Sequence, residues 1–155
     1  MSTDRPGFEL PLLLAAAFRT QIDALHRELA GRGHPDARPL HGFAMQAVGS
    51  GGVTTSELGR RLGISKQGAA KTAAGLERLG YIAREPDPED ARAVLLKPTK
   101  RGAEFLSLSA EIFDGLRGEW VDALGAKRLA GLEDDLRRLV APTGTKLGDL
   151  PGWLR

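Results

Sequence analysis

Residues 54–97 constrain the fold more than any other part of the chain. Residues 54–80 have the hydrophobic pattern of two short helices joined by a tight turn. Directly after them, residues 81–85 and 93–97 have the pattern of two short strands, joined by an acidic tip that two prolines stiffen. Because helix, turn, helix, strand, tip and strand follow in this order, the sequence predicts a winged helix-turn-helix.

The two predicted helices each begin at a hydroxyl side chain that can cap them. Thr54 and Glu57 have the spacing of a capping box, in which Thr54 accepts from the Glu57 amide while the Glu57 side chain reaches back. Gly63 suits the end of the first helix, and Ser65 suits the start of the second. We therefore expect the second helix to run from Ser65 to about Gly80.

The second helix has the composition of a helix that reads duplex DNA in the major groove. Such a helix packs one face against a partner helix and presents its N-terminal turns to base edges. Gln67 can pair with adenine, and Lys66 or Lys71 can reach guanine or phosphate. The alternative is an ordinary amphipathic helix with solvated lysines. The residues expected to contact DNA are Ser65, Lys66, Gln67, Ala70 and Lys71.

The tip between the strands carries an arginine that can enter the minor groove. The negative potential of a narrow minor groove attracts arginine side chains. Asp90, two residues before Arg92, is placed to orient that side chain. The alternative is a surface turn whose acidic residues only aid solubility, and the order of the elements favours the wing.

The positive charge of the chain is concentrated in the same segment. Residues 60–101 contain ten basic and five acidic residues, a net charge of +5. Because the whole chain carries only +2, the remainder carries −3. A basic middle between acidic ends fits a surface that faces a polyanion.

Three stretches of the sequence resemble the MarR family of bacterial transcription regulators. The similarity is densest over residues 54–102 and lies in Leu58–Gln67, Leu76–Arg84 and Asp87–Val94. The Asp-Ala-Arg sequence at 90–92, followed by Thr99 and Gly102, is similar to the wing signature of that family.

The resemblance implies a homodimer that binds a pseudo-palindromic DNA operator. It implies repression or activation tuned by a small-molecule effector bound between the dimer region and the DNA-binding lobe, and of the two we expect a repressor that the effector relieves. It also implies that Arg92 is the minor-groove arginine and Asp90 its orienting carboxylate.

We expect a mainly α fold with a small β-hairpin wing: a winged helix-turn-helix with N- and C-terminal dimerisation helices. The expected parts are an N-terminal dimerisation helix in residues 1–35, the DNA-binding lobe in 36–102, and C-terminal dimerisation helices with a tail in 103–155. Both terminal segments repeat apolar residues at helical spacing, which two-fold pairing would bury. The alternative is that these helices pack against one another within one chain.

The effector cannot be identified from the sequence. A pocket between the dimer helices and the DNA-binding lobe could be lined by several apolar or polar residues. These residues suit a hydrophobic core equally well, and we favour the core interpretation. They are Phe18, Ile22, His41, Met45 and Phe113.

Nothing in the sequence supports catalysis, a metal site or a cofactor. The chain has no cysteine, and Pro35 and Pro39 break any continuous helix that would carry all three of its histidines. No apolar run approaches the roughly 20 residues that cross a bilayer, so a cytoplasmic location is expected. The main rival function is a winged-helix module that binds another protein and no longer binds DNA. An enzyme is a more distant alternative.

Overall fold

The computed structural model describes residues 5–145. Within that range the mainly helical fold with a β-hairpin wing is confirmed. The tail expected at the C-terminal end falls on residues 146–155 and lies outside the described range. The elements in chain order are α1 (Glu9–Gly31), α2 (Pro39–Val48), α3 (Thr55–Leu62), α4 (Lys66–Arg78), β1 (Ile82–Pro86), β2 (Val94–Pro98), α5 (Lys100–Leu124), α6 (Ala126–Val140) and a 3-10 turn at Ala141–Thr143.

The starts of three helices are fixed by side-chain caps. Thr54 Oγ1 accepts from the Glu57 amide at 3.2 Å, and Ser65 Oγ accepts from the Gly68 amide at 3.0 Å. Thr99 caps α5 in the same way. The predicted capping box is wrong in its second half, because the Glu57 carboxylate pairs with arginines of α3 instead of returning to the Thr54 amide.

The wing is an antiparallel hairpin whose register joins Ile82 to Pro98 and Pro86 to Val94. Each strand lies one residue further along the chain than the alternation predicted. Val53, in the loop before α3, exchanges two backbone hydrogen bonds with Leu96 at 3.1 and 2.7 Å. This bridge, which the sequence pattern did not indicate, attaches the base of the wing to the start of the helix-turn-helix.

The hydrophobic core joins α2, α3, α4 and the wing base to the C-terminal half of α1 and the middle of α5. Its largest fully buried side chains include Leu29, Met45, Leu58, Tyr81 and Phe105. α1 packs on α5, and α5 packs on α6. The N-terminal half of α1 and the far end of α6 leave apolar side chains exposed.

Among residues 5–145 there is no helix with the length and hydropathy needed to cross a membrane.

Candidate nucleic-acid interface

Helices α3 and α4 form a helix-turn-helix because a sharp turn and a small contact residue let them approach closely. Gly63 adopts a left-handed conformation with φ of 63°, which ends α3 without the strain that a side chain would bring. A Cβ on Gly59 would lie 3.2 Å from the Cβ of Ala69, so the glycine permits the close crossing. The Ile64 amide donates to the Gly59 carbonyl at 3.0 Å and completes the turn.

Helix α4 has one buried face and one exposed face. Ala69, Ala73 and Leu76 are fully buried against the core. All five residues predicted to contact DNA are exposed on or immediately before this helix: Ser65, Lys66, Gln67, Ala70 and Lys71. The structure therefore brings these residues together at the N-terminal end of α4, where their side chains can meet a ligand without displacing core contacts.

The tip of the wing is organised by hydrogen bonds from aspartates to backbone amides. Asp87 Oδ1 accepts from the Glu89 amide at 2.9 Å, and Asp90 Oδ1 accepts from the Arg92 amide at 3.0 Å. A backbone bond of 3.1 Å from the Asp87 amide to the Ala93 carbonyl closes the tip. Asp90 thus fixes the turn on which Arg92 stands. Among the described residues, no ion pair joins the Asp90 carboxylate to the Arg92 guanidinium.

The exposed cations of this lobe differ in how they are neutralised. Arg84 pairs with Glu77 at 3.1 Å, and Lys97 pairs with Glu85 at 3.2 Å. Within residues 5–145, by contrast, no carboxylate lies within ion-pairing distance of the basic residues at the start of α4 and at the wing tip. These uncompensated cations are Lys66, Lys71 and Arg92.

The C-terminal end of α4 is held by residues that the sequence pattern did not single out. Arg101, in the first turn of α5, donates to the Leu79 carbonyl at 3.2 Å and to the Gly33 carbonyl at 2.9 Å. Its guanidinium carbon also lies 5.4 Å from the ring centroid of Tyr81. One side chain thus bridges the α1–α2 loop, the residue that caps the C-terminal end of α4, and α5, and it ties these three segments together.

A cleft of about 830 Å³ lies between the terminal helices and the helix-turn-helix. Of the five residues named from the sequence as a possible effector pocket, Phe18, Ile22 and Phe113 line this cleft. Met45 lies in the core with no exposed surface, and His41 is not part of the lining. His41 Nδ1 instead accepts from the Arg38 amide at 2.9 Å at the start of α2.

Residues 43–93 match the protein-family model described as MarR family. Over 49 residues the chain is 41% identical to the Bacillus subtilis (strain 168) protein named Uncharacterized HTH-type transcriptional regulator YcgE. That alignment covers 32% of each protein, so the chain spans about a third of this curated relative.

Two solved structures resemble nearly the whole chain. The crystal structure of MarR has a TM-score of 0.69 and 26% identity, covering 92% of this chain and 94% of that one. Streptococcus pneumoniae FabT, solved in complex with DNA, has a TM-score of 0.75 and 20% identity, covering 90% of this chain and 98% of that one. At 20% identity the second likeness shows the fold alone.

Proposed function

We infer that this chain, whose residues 43–93 match the MarR family model, binds duplex DNA sequence-specifically as a homodimer and regulates transcription. The family and the fold are those of transcriptional regulators rather than of enzymes. Because DNA is the proposed ligand, we also propose a cytoplasmic location.

The observation that carries the proposal is the grouping of uncompensated cations on the helix-turn-helix and the wing. Lys66 and Lys71 stand on the exposed face of α4, and Arg92 stands on a turn braced by Asp90. Cations that neutralise phosphates release condensed counterions, which gives affinity for any duplex. Gln67 adds a side chain that can make two hydrogen bonds to adenine, which gives sequence preference. FabT, which shares the fold, has been solved with DNA.

The proposal of a homodimer rests on exposed apolar residues at both ends of the described chain. Phe8 is 68% exposed and Leu12 62% exposed on or next to α1, and Leu139 is 71% exposed on α6. Burial of such side chains against a second copy would remove apolar surface from water. A two-fold pair would place two recognition helices about 34 Å apart, one DNA turn, and so fit a pseudo-palindromic operator.

Relief of repression by a small molecule is the proposed mode of regulation. The family resemblance allows repression or activation, and we propose repression. The cleft supports an effector, since its volume of about 830 Å³ falls in the range typical of small-molecule sites. Its wall includes residues of α3, so a bound molecule would touch the helix that packs on α4.

A fluorescence anisotropy titration tests the function directly. Labelled duplexes would include a random sequence and the DNA upstream of the protein's own gene, each measured at several salt concentrations. We expect affinity to fall steeply with salt for both duplexes and to be higher for the upstream DNA. Absence of salt-dependent binding to either duplex would instead support a winged-helix module that binds another protein.

A further inference from the structure

His41 lies where the start of α2 meets the recognition helix α4. Its ring is half-buried, and its Nε2 lies 3.6 Å from the point that a Cβ on Gly75 of α4 would occupy. Arg78 Nη2, from one turn further along α4, lies 3.8 Å from the same point. Because Gly75 has no side chain, the imidazole packs directly beside the backbone of α4. His41 therefore touches the helix that carries the predicted DNA contacts, without being one of those contacts.

The hydrogen bond that His41 accepts is possible only for a neutral ring. Its Nδ1 accepts from the backbone amide of Arg38, the N-cap residue of α2, at 2.9 Å. Because an amide N–H can only donate, Nδ1 carries no proton and the ring proton is on Nε2. In a capping box, a glutamate or glutamine at this third helical position accepts from the same amide. A histidine in that role loses its acceptor when it takes up a proton, in the pH range where imidazoles titrate.

The charged and titratable groups around His41 oppose a positive charge on its ring. Burial lowers the pKa of His41, and Arg38, His26 of α1 and Arg78 of α4 act in the same direction. Asp23 of α1 opposes the burial that lowers the pKa of His26, but no carboxylate of residues 5–145 is among the groups that act on His41. A proton on His41 places a third cation beside two arginines, so the charged ring is driven away from α4.

We propose that His41 is a positioning residue for DNA binding: the neutral ring holds the start of α2 against α4, and the protonated ring leaves this contact, so that DNA binding weakens in mild acid. The inference rests on the proposed function for its effect on DNA, whereas the state of the ring can be measured without DNA. A ring whose pKa is lowered in the contact favours the contact above the pKa of a free ring, about 6.5, and this preference is lost as the pH falls below that value.

The direction of the pH effect distinguishes positioning from direct contact with DNA. A histidine that faced a phosphate would strengthen binding on protonation, because it would add a cation that releases counterions. Protonation of His41 instead removes a hydrogen bond at the start of α2 and repels Arg78 of α4, and both changes disturb the seat of the recognition helix. Weaker binding in acid is therefore specific to the proposed role.

Anisotropy titrations with the upstream duplex at pH 7.5 and pH 5.5, at constant salt, test the inference. For the wild type we expect the affinity to fall several-fold and at most about tenfold, which is the limit for one proton on a group with a reference pKa of about 6.5 over this range. His41→Gln keeps an acceptor for the Arg38 amide but cannot take up a proton. It should bind as the wild type does at pH 7.5 and keep that affinity at pH 5.5. A wild-type affinity that does not fall, or a fall that persists undiminished in His41→Gln, overturns the proposal.

Two further variants test whether the charge at position 41 is the cause. His41→Lys removes the acceptor and adds a permanent cation, so it should bind the upstream duplex several-fold more weakly than the wild type already at pH 7.5. Gln46→Lys adds the same charge at an exposed position of α2, and this control should bind at least as tightly as the wild type. Equal affinities of His41→Lys and the wild type would contradict the role. If circular dichroism shows that His41→Lys does not fold, the His41→Gln titration decides alone.

A second histidine variant tests whether the acid effect belongs to His41 alone. His34 is also buried, but it lies in the α1–α2 loop, with its Nδ1 at 2.8 Å from the Tyr81 hydroxyl. His34→Gln should keep the loss of DNA affinity between pH 7.5 and pH 5.5. Loss of the acid effect in His34→Gln would assign it to the wrong histidine and overturn the proposal.

Nitrogen-15 spectra of the imidazole rings, recorded on the full chain without DNA, separate this inference from the proposed function. His41→Gln identifies the His41 signals, which should show the proton on Nε2 at pH 7.5 and a titration that also shifts the Gly75 amide signal. A proton on Nδ1, or a Gly75 amide that does not respond, overturns the inference. A chain that titrates as expected but binds no duplex upholds the contact and contradicts the regulator. A chain that binds DNA with no acid effect overturns the inference and leaves the regulator intact.

Discussion

At Arg92 the geometry of the backbone determines where the guanidinium can reach. Asp90 accepts a hydrogen bond of 3.0 Å from the Arg92 amide and so fixes the turn, while the guanidinium extends into solvent. The sequence predicted that Asp90 orients Arg92 but could not say how. A carboxylate two residues before an arginine has the spacing both of a side-chain pair and of an Asx turn.

Asp90 variants distinguish these two ways of orienting Arg92. Asp90→Asn keeps the oxygen that accepts from the Arg92 amide, whereas Asp90→Ala removes it. If the turn is what matters, we expect DNA affinity to fall by about 1 kcal/mol in Asp90→Ala and by much less in Asp90→Asn, measured by anisotropy. Equal losses in the two variants would point to the carboxylate charge instead.

His34 should make the stability of the fold sensitive to mild acid. The ring is only 6% exposed, and burial lowers its pKa; Arg101 acts in the same direction and Glu104 opposes them. A histidine whose folded-state pKa is lowered contributes stability above its unfolded pKa of about 6.5, and that stability is lost as the pH falls below this value. We expect urea unfolding to show lower stability at pH 5.5 than at pH 7.5. In His34→Gln this pH dependence should be smaller, and an unchanged dependence would contradict the assignment.

At the scale of elements, local chemistry set the helix starts and tertiary contacts set the rest. Thr54 and Ser65 cap helices as predicted, and Thr99 caps α5 in the same way, because an N-cap needs only a hydroxyl and a nearby amide. The bridge between Val53 and Leu96 could not be predicted, since it joins positions far apart in sequence. The Glu57 carboxylate forms ion pairs with two arginines of its own helix, an interaction that the capping-box pattern does not take into account.

The start of α5 packs so closely against Tyr81 and Met45 that only glycine fits at position 102. A Cβ on Gly102 would overlap the Tyr81 carbonyl oxygen and crowd the Met45 side chain. We expect Gly102→Ala to lower the free energy of unfolding by about 1–3 kcal/mol, the usual cost of overpacking, in urea unfolding.

Gly118→Ala in the same helix is the matched control. Apart from its chain neighbours and the backbone of its own helix, no atom of residues 5–145 lies within 4 Å of the position that its Cβ would take. Because alanine is the better helix former, this variant should be more stable than the wild type by about 0.5–1 kcal/mol. If both variants changed stability alike, the close contact at Gly102 would not be the cause of the loss.

At the scale of the whole molecule, sequence periodicity predicted the helices and strands but not the side-chain contacts that join them. His34 Nδ1 lies 2.8 Å from the Tyr81 hydroxyl, and both rings contact Phe105. These residues come from the α1–α2 loop, the wing base and α5, and no sequence pattern predicted that they meet. The cleft shows the same limit. Phe18 and Phe113 line it as the sequence suggested, but His26 also lines it, and no sequence pattern marked His26 as a lining residue.

The proposed homodimer predicts that charge on the exposed apolar surface of α6 separates the protomers. Leu139 is 71% exposed in the single chain, and Leu139→Asp would place a carboxylate in the proposed interface. We expect analytical ultracentrifugation to show a dimer for the wild type and a larger monomer fraction for the variant. Val94→Asp, which charges an exposed apolar residue of the wing, should remain dimeric. A wild-type chain that sediments as a monomer at micromolar concentration would contradict the dimer.

One anisotropy experiment tests most directly the claim that α4 and the wing hold the same duplex. Wild type, Arg92→Ala, Lys71→Ala and the control Arg128→Ala, on α6, would be titrated with upstream and random duplexes over a range of salt. We predict that Arg92→Ala weakens binding to the upstream duplex by about 1–3 kcal/mol. Lys71→Ala should weaken binding to both duplexes by similar amounts and reduce the slope of log affinity against log salt concentration by about one. Affinities unchanged in Arg92→Ala and Lys71→Ala, or lowered as much in Arg128→Ala, would contradict the claim.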